Sequence, residues 1–258
     1  MHCKTFKRSA IIELVLNHDM EILIVKDYQA VSSLAAAFVA RQIKAKPNSV
    51  LALPTGQTPL GLYQKLTSFF KSGSLSFSSV RTFNLDEYVG LAPSHVDSYY
   101  HYMQVNFFSQ VNLHPDNIHF PDSEAADLGS ECSDYEEAIA KSGGIDLLIL
   151  GIGHDGHIGF CEPGGSFAAR THIATLTEST RAANAHLLTE LSAVPEQAIT
   201  MGIATILQAR SIILLVSGAD KAAILKQALT GPVTESVPAS VLQTHLDVTV
   251  IMDDAAAS

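Results

Sequence analysis

The chain has 258 residues, of which 47% are hydrophobic and 16% charged, which is enough apolar content for the core of one large domain. Its net charge of −10 and the lack of a Lys/Arg-rich cluster argue against a nucleic-acid partner. Three widely spaced cysteines favour a reducing, cytoplasmic location over a disulfide framework, and no apolar run is long enough to predict a membrane span.

The chain begins with basic residues followed by the apolar run IIELVL. A signal peptide has this order, but the run is short, contains Glu13 and leads to no small-residue cleavage site. We therefore predict that residues 1–19 are an extension outside the fold, with Met20 as the natural start. Residues 20–258 are then expected to form the functional domain.

Apolar runs and amphipathic segments alternate along the rest of the chain. Strands are predicted at 21–26, 49–53, 80–85, 145–150, 211–217 and 247–252, and helices at 28–43, 59–70, 97–108, 123–141, 200–208, 219–229 and 238–244. Asp27 is the expected cap of the first helix. This alternation predicts a single-domain α/β fold, Rossmann-like, with a mainly parallel sheet covered by helices on both faces.

Ligands of such sheets bind beyond the carboxyl ends of the strands, and three polar segments start there. The first is the turn formed by Thr55, Gly56, Gln57 and Thr58. Its position before a helix favours phosphate, although it lacks the Gly-Lys-Ser/Thr ending of a Walker loop. From the residues alone, a phosphate site and an ordinary strand-to-helix turn are equally favoured.

The second segment places Asp86 and Glu87 directly after a strand. Because neighbouring side chains on a strand point to opposite sides, only one of the two acids can face the cleft. Asp86 continues the alternation of Asn84, so we assign the cleft to Asp86. A helix cap or a solvated turn is the alternative for an isolated Asp-Glu pair.

The third segment, GIGHDGHIGFCEP, brings Asp155, His157 and Glu162 together among glycines. Two acids and a base that titrates near neutral pH are suited to proton transfer. The pattern G-x-G-x-x-G also occurs here, but Pro163 would break the helix that a dinucleotide site needs. Neither a metal site nor a nucleophilic role for Cys161 is predicted, because converging metal ligands are too few and a lone cysteine is more often packed.

Four blocks of the sequence carry a resemblance to a known family: PTGQTPLGLY, FNLDEYVGL followed by DSYYHYM, GIGHDGHIGFCEPG, and TLTESTRAAN. In this order they resemble the signature blocks of glucosamine-6-phosphate deaminases, as does the late segment PEQAITMGIATIL…VSGADKA. The resemblance covers nearly everything from about residue 20 onward. It implies a cofactor-free aldose–ketose isomerisation and deamination of glucosamine 6-phosphate to fructose 6-phosphate and ammonia, on a sugar-phosphate isomerase type of fold.

The resemblance also implies roles for individual residues. Asp86 matches the base that moves the C2 proton, and His157 matches the histidine that assists ring opening. Asp155 and Glu162 match the carboxylates that set the charge and orientation of that histidine. Lys221 matches a phosphate-binding lysine, which acts alongside the turn at 55–58.

Several positions depart from the family pattern. His154 and Cys161 each stand where the best-known members carry Asn, and His186 stands where many have a phosphate-binding Arg. A histidine can still donate to phosphate, without the two-pronged geometry of arginine. His172 and Ala174 replace the Arg and Lys of allosterically activated members, so we predict no activation by N-acetylglucosamine 6-phosphate. Family members range from monomers to hexamers, which leaves a homo-oligomer possible.

Alternative functions remain open at the sequence level. A deaminase or isomerase for the C4 epimer, galactosamine 6-phosphate, would use the same catalytic groups. A 6-phosphogluconolactonase has a related fold but needs no C2 base. A non-catalytic sugar-phosphate sensor would need a DNA-binding module, for which residues 1–20 are too short.

Overall fold

The structure is a computed structural model that describes residues 20–185 and 188–258. The predicted extension at 1–19 and the candidate phosphate ligand His186 lie outside the described residues. Within the described part, no helix combines the length and the apolar character needed to cross a membrane.

Ten strands and seven α-helices form the described part of the chain. The strands are β1 (Met20–Val25), β2 (Val50–Leu53), β3 (Arg81–Asn84), β4 (Asp86–Tyr88), β5 (Ile118–His119), β6 (Leu147–Leu150), β7 (His172–Thr175), β8 (Gln197–Thr200), β9 (Ile212–Val216) and β10 (Val248–Asp253). The helices are α1 (Tyr28–Ala45), α2 (Leu60–Lys71), α3 (Tyr99–Asn106), α4 (Leu128–Lys141), α5 (Glu178–Asn184), α6 (Ile203–Ile206) and α7 (Ala222–Thr230). Short 3-10 helices occupy Phe108–Gln110, Pro115–Asn117, Ala219–Lys221 and Pro238–Thr244.

Seven strands form one sheet in the order β1-β10-β9-β6-β2-β3-β5, and every neighbouring pair is parallel. The prediction of a mainly parallel α/β sheet is confirmed. From β2 the chain moves outward to β3 and β5, whereas from β6 it moves the other way to β9 and β10. The loops that follow β2 and β6 therefore diverge, and this is where such sheets open a ligand crevice.

Both faces of the large sheet are covered by helices, as the apolar strands predict. On one face, Leu51 and Ile213 share a buried cluster with Val39 of α1 and Leu66 of α2. On the opposite face, alternate strand residues pack in a second cluster with Tyr135 of α4, and with residues of α7. The sheet is thus a rigid floor from which the loops at its carboxyl edge project.

A second sheet, in the order β4-β8-β7, is antiparallel and was not predicted. The predicted helix at 200–208 is wrong at its start, because residues 197–200 form β8 and only Ile203–Ile206 are helical. Gly202 explains the change: a Cβ there would lie 2.2 Å from the carbonyl oxygens of Ala169 and Arg170. That close crossing separates strand from helix.

Candidate active site

The segments that follow β2, β3, β6 and β9 all leave the carboxyl edge of the large sheet. They carry the turn at 55–58, Asp86, the group around His157, and Lys221 respectively. The parallel topology thus places these sequence-distant residues at one edge, as predicted from the strand ends for the first three segments.

Asp86 is the first residue of β4 and pairs with Thr200 of β8. It is 7% exposed, and burial followed by the charge of Glu87 raises its pKa to about 8. No described residue donates a hydrogen bond to its carboxylate. A Cβ built on Gly159 would lie 3.7 Å from Asp86 Oδ2 and 3.1 Å from Thr200 Oγ1. Asp86 therefore lies close to Gly159, which is two residues after His157 in the chain.

Glu87 points away from Asp86 and caps α3. Its carboxylate accepts the N–H groups of Tyr88 and Tyr99 at 2.9 Å and that of Tyr100 at 2.8 Å. Burial nevertheless raises its pKa to about 7, against the effect of those hydrogen bonds. The two adjacent acids thus have different environments, and the helix-cap alternative applies to Glu87.

Asp155 and His157 are in direct contact at this edge. Asp155 Oδ1 lies 2.7 Å from His157 Nδ1 and also accepts the main-chain N–H of His157 at 3.1 Å. The alignment at Nδ1 falls outside hydrogen-bond geometry, although the two atoms are in direct contact. Burial acts to raise the pKa of Asp155, but the imidazole and N–H of His157 outweigh it and lower that pKa to about 2. Asp155 is therefore ionised wherever the protein is folded at ordinary pH.

Gly153 provides the space for the imidazole. A Cβ at this position would lie 2.3 Å from His157 Cε1 and Nδ1, so any other residue would displace the ring. The main-chain N–H of Gly153 also donates to the carbonyl oxygen of His157 at 2.9 Å. This glycine was singled out in the sequence only as part of a dinucleotide-like pattern, and its steric role was missed.

Glu162 completes the group around the imidazole. Its carboxylate accepts the N–H of Thr177 at 3.3 Å and faces the Thr177 hydroxyl at 3.4 to 3.5 Å. One ligand atom each from Asp155, His157 and Glu162 lies within 4.8 Å of the others. Such a set can hold and relay a proton, and an imidazole with two carboxylates is also the set that would hold a divalent cation at this edge.

The turn at 55–58 presents its main-chain N–H groups ahead of α2. None of these four N–H groups is hydrogen-bonded within the described part of the chain, whereas the carbonyl oxygens of Gly56 and Gln57 accept the hydroxyls of Tyr102 and Tyr28. Cavities of about 210 and 430 Å³ are each lined in part by residues of this turn. The turn therefore offers unused donors next to open space, which favours the phosphate interpretation over a purely structural one.

Lys221 ends the 3-10 helix that follows β9. Burial lowers its pKa, while the charges of Asp220 and Asp155 act in the opposite direction. The segment is anchored by Asp253, which accepts the hydroxyl of Ser217 and the N–H of Gly218. Asp253 was missed in the sequence, because its position at the end of the last strand gives no local sign of a role at this edge.

A further buried acid, Asp97, fixes the segment beyond α5. Its carboxylate accepts the N–H groups of residues 189–191 at 2.5 to 2.9 Å, and these hydrogen bonds lower its pKa against the effect of burial. Asp97 and Leu188 both line the smaller cavity, together with Gly56 and Gln57. Asp97 thus fixes the position of a segment that lies next to that cavity.

Comparison with known proteins shows the family to which this arrangement belongs. A family profile described as glucosamine-6-phosphate isomerases/6-phosphogluconolactonase matches residues 26–251. The chain belongs to this family. Relatives in the family include the glucosamine-6-phosphate deaminase of Halothermothrix orenii, which is 52% identical over 93% of this chain and 99% of the relative. Glucosamine-6-phosphate deaminase 2 of Bacillus subtilis is 49% identical over 92% of this chain and 96% of its own.

Solved structures of the family agree with the fold. One described as a monomeric glucosamine-6-phosphate deaminase has a TM-score of 0.89 at 44% identity and covers 92% of this chain and 98% of its own. The 6-phosphogluconolactonase of Thermotoga maritima has a TM-score of 0.71 at 18% identity over 91% of this chain and 99% of its own. The second likeness shows the shared fold alone.

Proposed function

We propose that this protein is a glucosamine-6-phosphate deaminase that converts glucosamine 6-phosphate and water to fructose 6-phosphate and ammonia. The observation that carries the proposal is the buried Asp86 beside the segment of His157, in a chain about half identical to deaminases over nearly its whole length. A lactonase has no need for a carboxylate base at C2. The names of the relatives favour the glucosamine epimer over galactosamine.

The first step is opening of the sugar ring, because the cyclic form has no acidic C–H. It requires one proton to leave the anomeric hydroxyl and another to reach the ring oxygen. We assign this exchange to His157, and we assign to Asp155 and Glu162, which lie beside its ring, the role of orienting it.

The second step moves a proton from C2 to C1, and we assign it to Asp86. Removal of the C2 proton gives an enolamine, and return of the proton at C1 gives a C2 imine. Water then adds to C2 and ammonia leaves, which yields the ketone. Because the pKa of Asp86 is raised to about 8, its carboxylate is a stronger base than an exposed aspartate.

Binding of the phosphate group orients the substrate for these steps. We assign its binding to Lys221 and to the donors of the turn at 55–58, with His186 as a predicted further contact. Binding at this remote group orients C2 towards Asp86, so that affinity for phosphate contributes to rate.

We further propose a cytoplasmic enzyme, in keeping with the free thiols of Cys132 and Cys161. The relative of 44% identity is described as monomeric. Light scattering of the purified protein would decide between a monomer and the possible homo-oligomer.

An ammonia-release assay on glucosamine 6-phosphate and galactosamine 6-phosphate tests the proposed function. We expect turnover of the glucosamine epimer, and a loss of roughly 10²- to 10⁴-fold in the Asp86→Asn variant. Hydrolysis of 6-phosphogluconolactone is the third arm. Lactone hydrolysis without ammonia release, or ammonia release that survives Asp86→Asn, would contradict the proposal.

A further inference from the structure

A histidine–aspartate contact at the rim joins two of the loops that form the candidate site. His154 Nε2 lies 2.7 Å from Asp220 Oδ2. His154 belongs to the segment after β6 that carries Asp155 and His157, whereas Asp220 precedes Lys221 in the segment after β9. The pair therefore bridges the proposed proton-transfer group and the proposed phosphate-binding lysine.

The backbone conformation of Gly218 leaves room for the Asp220 carboxylate beside it. Gly218 has a φ of +101°, and a Cβ on it would lie 2.6 Å from Asp220 Oδ1. Any other residue at 218 would both strain the backbone and displace this carboxylate. The position of Asp220 is thus defined by the fold as well as by its partner.

The charge of Asp220 opposes the task proposed for its neighbour. A phosphate held by Lys221 is attracted by the ammonium group and repelled by a carboxylate one residue away. Repulsion between such charges is appreciable near a protein surface and is weakened by salt. An imidazole that donates its N–H to Asp220 disperses part of that negative charge and keeps the carboxylate on the side of Gly218.

We propose that His154 is a positioning residue that offsets and restrains the carboxylate of Asp220, which leaves Lys221 free to bind the substrate's phosphate. This inference rests on the proposed function, and it concerns a position at which the resembling family members carry Asn. Both side chains are about 60% exposed, so the pair contributes little to folding. We therefore expect the pair to affect the affinity for phosphate and not the stability of the fold.

The test is a double-variant cycle of His154→Asn, Asp220→Asn and both together. KM for glucosamine 6-phosphate and the inhibition constant of inorganic phosphate are measured in each, at low and high salt. We expect His154→Asn to raise both constants by about two- to fivefold, as for an exposed pair of polar side chains, with kcat unchanged. Asp220→Asn should lower them, and His154→Asn should then have no further effect.

Controls separate this outcome from others. His114→Asn removes a histidine from a distant exposed pair with Asp116 and should change neither constant. An effect of His154→Asn that persists in the Asp220→Asn background, that is indifferent to salt, or that appears in kcat alone would overturn the inference. Calorimetry measures the affinity of each variant for inorganic phosphate and does not depend on turnover. Absence of ammonia release would therefore refute the proposed function and leave this test standing.

Discussion

Replacing Asp86 by Asn should make the protein more stable at alkaline pH although it lowers activity. The native state keeps the Asp86 proton up to about pH 8, whereas the unfolded chain releases it near 3.8. Because the native state binds more protons in this window, wild-type stability decreases as the pH rises, until the native carboxyl also ionises. The neutral amide of Asn has no such loss.

The size of the effect follows from the two pKa values. Each pH unit between them corresponds to about 1.4 kcal/mol in the free energy of unfolding. Between pH 5 and pH 8 the advantage of Asp86→Asn should therefore grow by up to about 4 kcal/mol, an upper bound because Asp86 and Glu87 titrate together.

Urea unfolding of both proteins at pH 5, 7 and 9 measures this advantage. Asp134→Asn is the matched control, because it is the same substitution at an exposed position on α4. At pH 9 we expect Asp86→Asn to raise the free energy of unfolding, relative to wild type, by at least about 1 kcal/mol more than Asp134→Asn does. If the variant is no more stable than wild type at pH 9, the carboxyl is not held in a desolvated site and the reasoning fails.

Three further outcomes are expected. Gly153→Ala should lower kcat about 100-fold because its Cβ displaces the His157 ring. Gly151→Ala is the control, because a Cβ there would meet nothing within 4 Å and should leave kcat unchanged. Equal losses in the two variants would refute the steric argument. Asp97→Ala should lower the free energy of unfolding in urea by about 1–3 kcal/mol and make residues 189–191 accessible to protease. If neither unfolding nor cleavage changes, the hydrogen bonds of Asp97 do not stabilise this segment. Saturation curves with and without N-acetylglucosamine 6-phosphate should superimpose, and a left-shift would contradict the predicted lack of activation.

Much of the large sheet could be predicted, because its strands are short apolar runs with clear boundaries. All six predicted strands match observed ones to within a residue or two, and Asp27 caps α1 as expected, accepting the N–H of Ala30. The helix predicted at 123–141 begins only at Leu128, with Asp127 as its cap. Ser123 instead donates its hydroxyl to the carbonyl oxygen of Leu91.

The second sheet could not be predicted, because its pairing depends on contacts between distant segments. Nothing local to Asp86–Tyr88 distinguishes a three-residue strand from a turn, and β8 resembles the start of the helix that follows it. The strands are defined by their partners, and these become visible only in three dimensions. The edge strand β5 and the helix α5 were missed for the same lack of local signal.

The candidate site divides in a similar way. The polar residues at strand ends were found, since topology alone brings them to one edge. The residues that hold them were not: Gly153 and Asp253 act through steric fit and long-range hydrogen bonds. The roles given to Asp86, Asp155, His157, Glu162 and Lys221 stay predictions until variants are assayed.

The antiparallel pairing of Asp86 with Thr200 has a consequence for how the protein becomes active during folding. It joins positions far apart along the chain, so the entropy lost in closing that loop must be overcome before β4 is in place. Until then the carboxylate is hydrated and titrates as in a free peptide. Recovery of turnover after refolding should therefore lag behind recovery of the parallel sheet.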